Sequence, residues 1–199
     1  MLESKVFYNY SLVVFDLDDT LYKETDYLFS AYHEIEQYVS RKAHIPFDKL
    51  SGFLKTSFLS RGREGLFDVF LSCFGIEGRV EKSEMLEILR THTCTLSLYP
   101  QSESLLAELH KSGRGLAILT NGNLIQQKNK IRCLNLCETH PYIDVVYAAE
   151  VGTKPSPNGL FVIAERNKID IKKIAFVGDS RIDEETSKNA GVDFYYIDK

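Results

Sequence analysis

The chain has 199 residues, of which 44% are hydrophobic and 26% are charged. These values are typical of a globular protein with one large domain, or a core with an insertion, and they exclude a disordered or collagen-like chain. The 24 basic and 28 acidic residues give a net charge of −4. Lys and Arg are not clustered along the sequence, so a nucleic-acid-binding surface is not expected.

The sequence also favours a particular cellular setting. No stretch approaches the roughly 18 consecutive apolar residues of a membrane helix, so no membrane association is predicted. Residues 1–10 mix charged, polar and aromatic side chains and lack the apolar segment of a signal peptide. The four cysteines are expected to be reduced and structural, with Cys133 and Cys137 on one helical face. We expect a soluble cytoplasmic protein, and the sequence does not specify its oligomeric state.

Short apolar segments predict the strands of a sheet. Three of them are followed by polar residues and are rich in Val, Ile and Leu, which indicates strands buried on both faces of a parallel sheet. These three are 12–15, 116–119 and 174–177. Two further candidate strands are 144–148 and 194–197.

Apolar residues at helical spacing predict helices between the strands. The predicted helices are 33–39, 66–74, 83–92, 104–111, 124–136, 158–168 and 183–189. From residue 98 onwards helices and strands alternate, which indicates an open α/β sheet. Residues 22–97 have helical spacing and no convincing strand, which predicts a helical domain inserted after the first strand.

An acidic pair follows the first predicted strand, in the segment Asp16-Leu17-Asp18-Asp19-Thr20. Because side chains alternate along a strand, Asp16 and Asp18 are expected to point the same way. Two neighbouring carboxylates repel each other unless a cation or a shared proton compensates, and a divalent metal at the carboxyl end of the strand would do so. A solvated acidic turn is the alternative for this segment alone.

Two further polar segments suggest an anion site. Thr120 and Asn121 lie between a predicted strand and a helix, where hydroxyl, amide and backbone N–H groups bind anions. Lys154 lies in a loop stiffened by Pro155 and Pro157 and can neutralise a phosphate. Taken separately, an ordinary helix N-cap and an unconnected surface lysine are the simpler explanations.

A second acidic pair, Asp179 and Asp183, follows the strand that ends near Gly178. Helix N-capping accounts for either acid alone. The four segments together are harder to explain in this way, because a doubly wound sheet gathers the carboxyl ends of its strands around one crevice. There they would supply acids for a metal, neutral donors and one cation, which is the set that phosphoryl transfer needs.

These motifs and their order resemble those of the haloacid dehalogenase-like hydrolase superfamily. The first motif of that family is Asp-x-Asp-x-Thr after a strand, here Asp16 to Thr20, and the second is a Thr or Ser at a strand end, here Thr120. The third is a lysine, here Lys154 before Pro-x-Pro, and the fourth is Gly-Asp-x-x-x-Asp, here 178–183. The resemblance extends from about residue 11 through the rest of the chain.

The resemblance implies a role for each site residue. Asp16 would be the nucleophile that forms an aspartyl-phosphate, and Asp18 would be the general acid and base. Mg²⁺ would bind to Asp16, Asp179 and the backbone carbonyl of Asp18. The phosphoryl oxygens would be bound by Thr120, Asn121 and Lys154. Asp183 would orient Lys154 or a metal-bound water.

The resemblance also implies a fold with two domains. It is a doubly wound, mostly parallel Rossmann-like sheet with strand order 5-4-1-2-3 and an inserted all-helical cap. Residues 1–21 and 98–199 would form the catalytic core, and 22–97 would form the cap. Such a cap excludes water and contacts the rest of the substrate. The candidate contacts are Tyr22, Lys23, His33, Arg61 and Arg63, although a solvated loop also explains the two arginines.

The resulting prediction is a Mg²⁺-dependent phosphatase of a small phosphorylated metabolite, such as a sugar phosphate, a nucleotide or a phosphoglycolate-like acid. Asp18 favours this over dehalogenation, because a halide leaving group needs no proton. Two alternatives stay open: a phosphomutase with the same intermediate, and a non-catalytic phosphoryl-binding or regulatory module with the same fold.

Overall fold

The computed structural model of the protein describes residues 3–197, which form two compact units. The first unit comprises the chain up to Glu24 together with the chain from Thr95 onwards, and the second comprises Thr25–Cys94. The assignment of these two parts as a catalytic core and a cap stays a prediction.

The first unit is built on a parallel sheet. Within residues 3–197 the sheet has five strands, β1 (Leu12–Phe15), β2 (Gly115–Thr120), β3 (Ile143–Tyr147), β4 (Ile174–Gly178) and β5 (Asp193–Tyr196). All neighbouring strands are parallel, in the order β3-β2-β1-β4-β5. This is the predicted order read from the opposite edge, so the predicted α/β fold class is confirmed.

The central strand β1 explains why these segments pair. Its four residues are completely buried, because it has a strand on each side and helices over each face. Phe15 at its end lies opposite Ile118 of β2 and Val177 of β4. The carboxyl ends of three strands therefore lie side by side, and the polar segments that follow them begin at one edge of the sheet.

Six helices of the described part of the first unit connect the strands. They are α6 (Pro100–Lys111), α7 (Leu124–Cys133), α8 (Leu136–Thr139), α9 (Ala148–Val151), α10 (Asn158–Asn167) and α11 (Arg181–Ala190). Short 3-10 helices at Ser4–Phe7 and Ile171–Lys173 precede β1 and β4. Helix α10 packs closely on the sheet at Gly159, where a Cβ would overlap the Leu119 side chain.

One predicted helix, 124–136, is wrong in its length. The structure ends α7 at Cys133 and starts α8 at Leu136, with Asn135 between them in the left-handed region at φ 54°. Asn tolerates this conformation better than most residues, and it redirects the chain. Cys133 and Cys137 therefore do not share one helical face as predicted.

The second unit is helical. It contains α1 (Glu24–Ala43, from its second residue), α2 (Phe47–Leu50), α3 (Phe53–Arg61), α4 (Leu66–Phe74) and α5 (Lys82–Thr91). Its core includes Ile35, Leu54 and Phe70, which are completely buried. The buried carboxylate of Glu36 accepts hydrogen bonds from the N–H groups of Gly52 and Leu54, both at 2.9 Å, and so binds the start of α3.

In the part of the chain that the structure describes, no helix combines the length and the apolar character needed to cross a membrane.

Candidate active site

The segment after β1 forms a tight turn that exposes polar side chains. The N–H of Asp16 donates to the carbonyl of Val177 at 2.9 Å and so extends the ladder with β4 by one residue. Leu17 is completely buried, whereas Asp16 and Asp18 both reach the polar edge. Asp19 adopts a positive φ of 56° and accepts a hydrogen bond from the N–H of Glu24, the first residue of α1, at 3.1 Å.

Lys154 and two acids form a buried ion-paired group. The Lys154 Nζ donates to Oδ1 of Asp16 and to Oδ1 of Asp183, each at 2.5 Å. All three side chains are almost inaccessible to solvent. Because an unpaired buried charge is very unfavourable, the ammonium and the two carboxylates depend on one another. The structure thus brings together three residues that the sequence places far apart.

Asp179 completes an acidic cluster with Asp16 and Asp183. One carboxylate oxygen from each of the three lies within 4.8 Å of the others. Oxygen ligands at this spacing suit a hard divalent cation such as Mg²⁺. If all are ionised, three carboxylates beside one ammonium carry two excess negative charges, which such a cation would neutralise. The donor set therefore fits the predicted metal.

The electrostatics of the group follow from its burial. Burial raises the pKa of Asp16 above its ordinary value; the Lys154 ammonium opposes this shift, while the charges of Asp183 and Asp18 add to it. Burial alone would lower the pKa of Lys154, but the carboxylates of Asp16 and Asp183 outweigh burial and raise it. Lys154 is therefore a stable cation, and Asp16 is ionised only at an energetic cost that a further cation would reduce.

Asp183 is held by the start of α11. Ser180 is the N-cap: its Oγ accepts from the Asp183 N–H at 3.3 Å and donates to Oδ2 of Asp183 at 2.5 Å. With Oδ2 bound to Ser180, Oδ1 is directed at Lys154. Gly178 is required here, because a Cβ at this position would lie 2.7 Å from the Asp183 carboxyl carbon.

Asn121 has a contact that the sequence did not reveal. Its Oδ1 accepts from the Lys154 N–H at 2.9 Å, and its Nδ2 donates to the Lys154 carbonyl at 3.2 Å. Asn121 thus fixes the loop that carries the lysine, which lies 33 residues away in the chain. Its predicted contact with a phosphoryl oxygen stays a prediction.

Thr120 and Asp18 are linked through Gln127. Thr120 is the last residue of β2 and is buried. Gln127 Nε2 lies 2.6 Å from Thr120 Oγ1 and 2.8 Å from Oδ2 of Asp18. One amide on α7 therefore connects the ends of β1 and β2.

Asp18 has further partners that sequence reasoning missed. Lys130 Nζ lies 2.8 Å from both carboxylate oxygens of Asp18, and the Tyr22 hydroxyl donates to its Oδ1 at 2.6 Å. Tyr22 is completely buried, and its hydroxyl contacts Asp18; its predicted contact with the substrate stays a prediction. The sequence does contain a signal for Gln127 and Lys130. Each lies four residues before an apolar residue, Ile131 on α7 or Leu134 just after it, and so lies on the same side of the helix as that residue.

The remaining predicted contacts lie on the helical unit, except Lys23, which belongs to the first unit. Arg61 is the last residue of α3, and Arg63 follows it in the loop before α4; both are exposed. Lys23 and His33 are exposed as well. No described contact tests a role for these four side chains in binding a substrate.

Comparison with known proteins agrees with this architecture. The sequence model of the family described as haloacid dehalogenase-like hydrolase matches residues 13–197, and the chain belongs to this family. Its relatives include the glyceraldehyde 3-phosphate phosphatase of Methanocaldococcus jannaschii, which is 24% identical over 180 residues. That match covers 87% of this chain and 77% of the relative.

Two further similarities have different extents. The phosphoglycolate phosphatase of Neisseria meningitidis is 36% identical over 95 residues, which cover 47% of this chain and 39% of that protein. The HAD hydrolase YfnB of Bacillus subtilis, whose structure was solved bound to magnesium, has a TM-score of 0.63 and 20% identity, with 95% of this chain and 89% of that chain covered. At 20% identity, the similarity to YfnB concerns the fold alone.

Proposed function

We propose that the protein is a Mg²⁺-dependent phosphatase that hydrolyses a phosphoric monoester of a small metabolite, such as a sugar phosphate, a nucleotide or a phosphoglycolate-like acid. The observation that carries this proposal is the buried contact of Lys154 with Asp16 and Asp183, beside Asp179. The names of two relatives, both phosphatases of small phosphorylated metabolites, support it.

The proposed reaction has two steps. In the first, a carboxylate oxygen of Asp16 attacks phosphorus, the bond to the ester oxygen breaks, and Asp18 gives its proton to that leaving oxygen. In the second, Asp18 takes a proton from a water molecule that attacks the aspartyl-phosphate, which releases inorganic phosphate and restores both carboxyl groups. Each residue thus returns to its starting state after one turnover.

The cationic and neutral groups would bind the transferring phosphoryl group. Lys154 carries the positive charge, and its double contact with Asp16 and Asp183 places that charge beside the nucleophile. The hydroxyl of Thr120 and the amide of Asn121 would contact further phosphoryl oxygens. Donors fixed before the reaction need no reorganisation during it, which is the main source of catalysis in phosphoryl transfer.

The acidic cluster would hold the metal. Asp16, Asp179 and the backbone carbonyl of Asp18 are the proposed ligands for Mg²⁺, with Asp183 beside them. When bound, Mg²⁺ offsets the negative charges of the carboxylates and of the phosphoryl group. The magnesium in the structure of YfnB supports this choice of metal.

The helical unit would act as the cap that selects the substrate. Two exposed arginines, Arg61 and Arg63, flank Gly62 at the end of α3, and such a pair suits a second anionic group on the substrate. The domain division, with 22–97 as cap and the rest as core, is part of this proposal.

A phosphate-release screen over a panel of phosphorylated metabolites, with Mg²⁺ or with EDTA, tests the proposal. The natural chain is expected to release phosphate only with the metal, and Asp16→Asn should abolish turnover. Asp48→Asn is the matched control, because Asp48 is exposed in the first turn of α2, in the helical unit. Full activity of Asp16→Asn would contradict the mechanism.

The same screen separates the two alternatives. A phosphomutase would interconvert phosphate esters and depend on a bisphosphate activator, with little net release of phosphate. A binding module would retain a phosphorylated ligand without converting it.

A further inference from the structure

Lys130 makes a contact with the carboxylate of Asp18 that neither the family motifs nor the mechanism above uses. Its Nζ lies 2.8 Å from Oδ1 and 2.8 Å from Oδ2 of Asp18, although 112 residues separate the two in the chain. Gln127, one helical turn earlier on α7, donates to Oδ2, and Tyr22 donates to Oδ1. The carboxylate is thus bound from two directions, by α7 and by the turn that follows β1.

The ammonium of Lys130 is itself bound by a second acid. Glu24 Oε1 lies 3.2 Å from Nζ, and the side chains of Lys130 and Glu24 are 2% and 11% exposed. Glu24 starts α1, and its N–H donates to Asp19. Lys130, on α7, therefore contacts both the first and the last residue of the segment from Asp18 to Glu24.

The placement of Lys130 calls for a functional explanation. Lysines are almost never fully buried, and a buried ion pair is often no more stable than apolar residues of similar size. Position 130 lies on a buried part of α7, together with Gln127, Asn129 and Ile131. What an apolar side chain would not supply is a donor to both oxygens of Asp18.

The role of Asp18 in proton transfer explains why the Lys130 ammonium is needed. A general acid must hold its proton within hydrogen-bond reach of the leaving oxygen, so a protonated Asp18 carries that proton on one oxygen while Lys130 holds the other. Small displacements of a catalytic group cost large factors in rate. Asp18 lies in a turn after β1, where its short side chain has rotational freedom unless other groups restrict it.

We propose that Lys130, held by Glu24, is a positioning residue that fixes the carboxyl group of Asp18 for proton transfer to the leaving oxygen. This inference rests on the proposed phosphatase function. In the same proposal, Gln127 links Asp18 to Thr120 and so fixes the distance between the Asp18 carboxyl group and the end of β2.

The proposal predicts a dependence on the leaving group. An alkyl phosphate, such as glycerol phosphate, releases a strongly basic alkoxide that needs a proton. An aryl phosphate, such as p-nitrophenyl phosphate, releases a weakly basic phenoxide that needs little help. Loss of a group that serves proton transfer must therefore slow the first substrate far more than the second, whereas a general loss of structure slows both alike.

The test compares Lys130→Met with Lys128→Met in single-turnover release of the two leaving groups with Mg²⁺. Lys128 lies on the same helix, is about half exposed, and pairs with Glu150. Since general acid–base catalysis contributes about 10²- to 10⁴-fold, Lys130→Met should slow the alkyl ester at least about tenfold and the aryl ester less than about threefold. Lys128→Met should leave both rates unchanged, and Lys130→Arg should recover part of the alkyl rate.

Three further variants keep the test decisive. Glu24→Gln combined with Lys130→Met removes one charge of each sign, so it guards against loss of folding, and a melting curve confirms the fold. Asp18→Asn should show the same selectivity between the two esters, and adding Lys130→Met to it should produce no further selectivity. Equal slowing of both esters by folded Lys130→Met, or no slowing, would overturn the inference. If the natural chain releases neither leaving group, or Asp16→Asn stays active, the proposed function fails instead.

Discussion

The amide of Asn121 binds the main chain of Lys154 at both the N–H and the carbonyl, which ties the end of β2 to the loop before α10. The lysine that faces Asp16 is thereby fixed at its backbone as well as at its ammonium group. Two consecutive polar residues, Thr120 and Asn121, therefore serve different parts of the site: one contacts Gln127 and the other the lysine loop.

Asn121→Ala should disturb Lys154 without removing its charge. Loss of the two hydrogen bonds is expected to lower the free energy of unfolding by about 1 to 3 kcal/mol. Displacement of the ammonium should reduce kcat/KM for phosphate release by about 10- to 100-fold. Steady-state kinetics and urea denaturation measure the two effects. In a Lys154→Met background the same substitution should have little further effect on kcat/KM, and an additive loss would contradict the proposed link.

Gly178→Ala should disrupt the site through a steric contact. The new methyl group would lie 2.7 Å from the Asp183 carboxyl carbon, so either β4 or Asp183 must move. We expect a destabilisation of about 1 to 3 kcal/mol, as for other overpacked positions, together with a large loss of phosphatase activity. Thermal denaturation and phosphate release provide the measurements.

Gly115→Ala is the control for this substitution. Gly115 lies on the neighbouring strand β2, where a Cβ would meet the flexible Leu12 side chain at 3.2 Å. This variant should retain activity. Normal activity of Gly178→Ala would show that Asp183 need not approach the strand so closely.

The helical unit contains an ion pair that predicts acid sensitivity. Hydrogen bonds from Lys42, from the Glu81 N–H and from Tyr38 lower the pKa of Glu84 from 4.5 to about 2. A lowered pKa means that the ionised form favours folding, so this contribution is complete above about pH 4.5 and disappears as the pH falls towards 2. Glu84→Gln should therefore differ most from the natural chain in unfolding free energy near neutral pH, and least at about pH 2.

Urea denaturation of both chains between pH 2 and pH 7 checks this expectation. The control is Glu87→Gln, an exposed residue on the same helix α5. Its stability difference from the natural chain should vary less with pH. A difference for Glu84→Gln that stays constant across the range would argue against the ion pair as its cause.

Arg61→Ala and Arg63→Ala test the proposed substrate contacts of the helical unit. If either guanidinium binds an anionic group of the substrate, its removal should raise KM by about tenfold and change kcat little, because a charged hydrogen bond is lost in both ground and transition states. Arg41→Ala, at an exposed position in the last turn of α1, is the control. An unaltered KM for the best substrate would indicate that both arginines belong to an ordinary solvated loop and do not bind the substrate.

The sheet could be predicted from the sequence because each strand is encoded by a short run of consecutive apolar residues. Four consecutive apolar residues such as Leu12–Phe15 suit a strand buried on both faces, and the structure has its central strand there. The group of Asp16, Lys154 and Asp183 could also be anticipated, since parallel strands place their carboxyl ends at one edge. Each strand and each motif is recognised within a few residues of the chain, and the parallel sheet then brings the distant motifs together.

Other features depend on contacts that no short segment encodes. A lysine on an amphipathic helix such as α7 is normally solvated, whereas Lys130 is buried and contacts Asp18 and Glu24, which lie more than 100 residues away in the chain. The helix break at Asn135 was hidden for a different reason. Apolar residues continue at helical spacing from Ile131 to Leu134 and from Cys133 to Leu136, and periodicity does not report the sign of φ.

Asp183 belongs at the same time to the first turn of α11 and to the ion pairs of Lys154. A few hydrogen bonds hold this turn, whereas β4 is paired with a strand on each side, so the turn is expected to open at temperatures where β4 and its neighbours are still intact. On heating, the enzyme should accordingly lose catalytic turnover before it loses the circular dichroism signal of its secondary structure. Stronger N-capping of α11 should raise the upper temperature limit of activity.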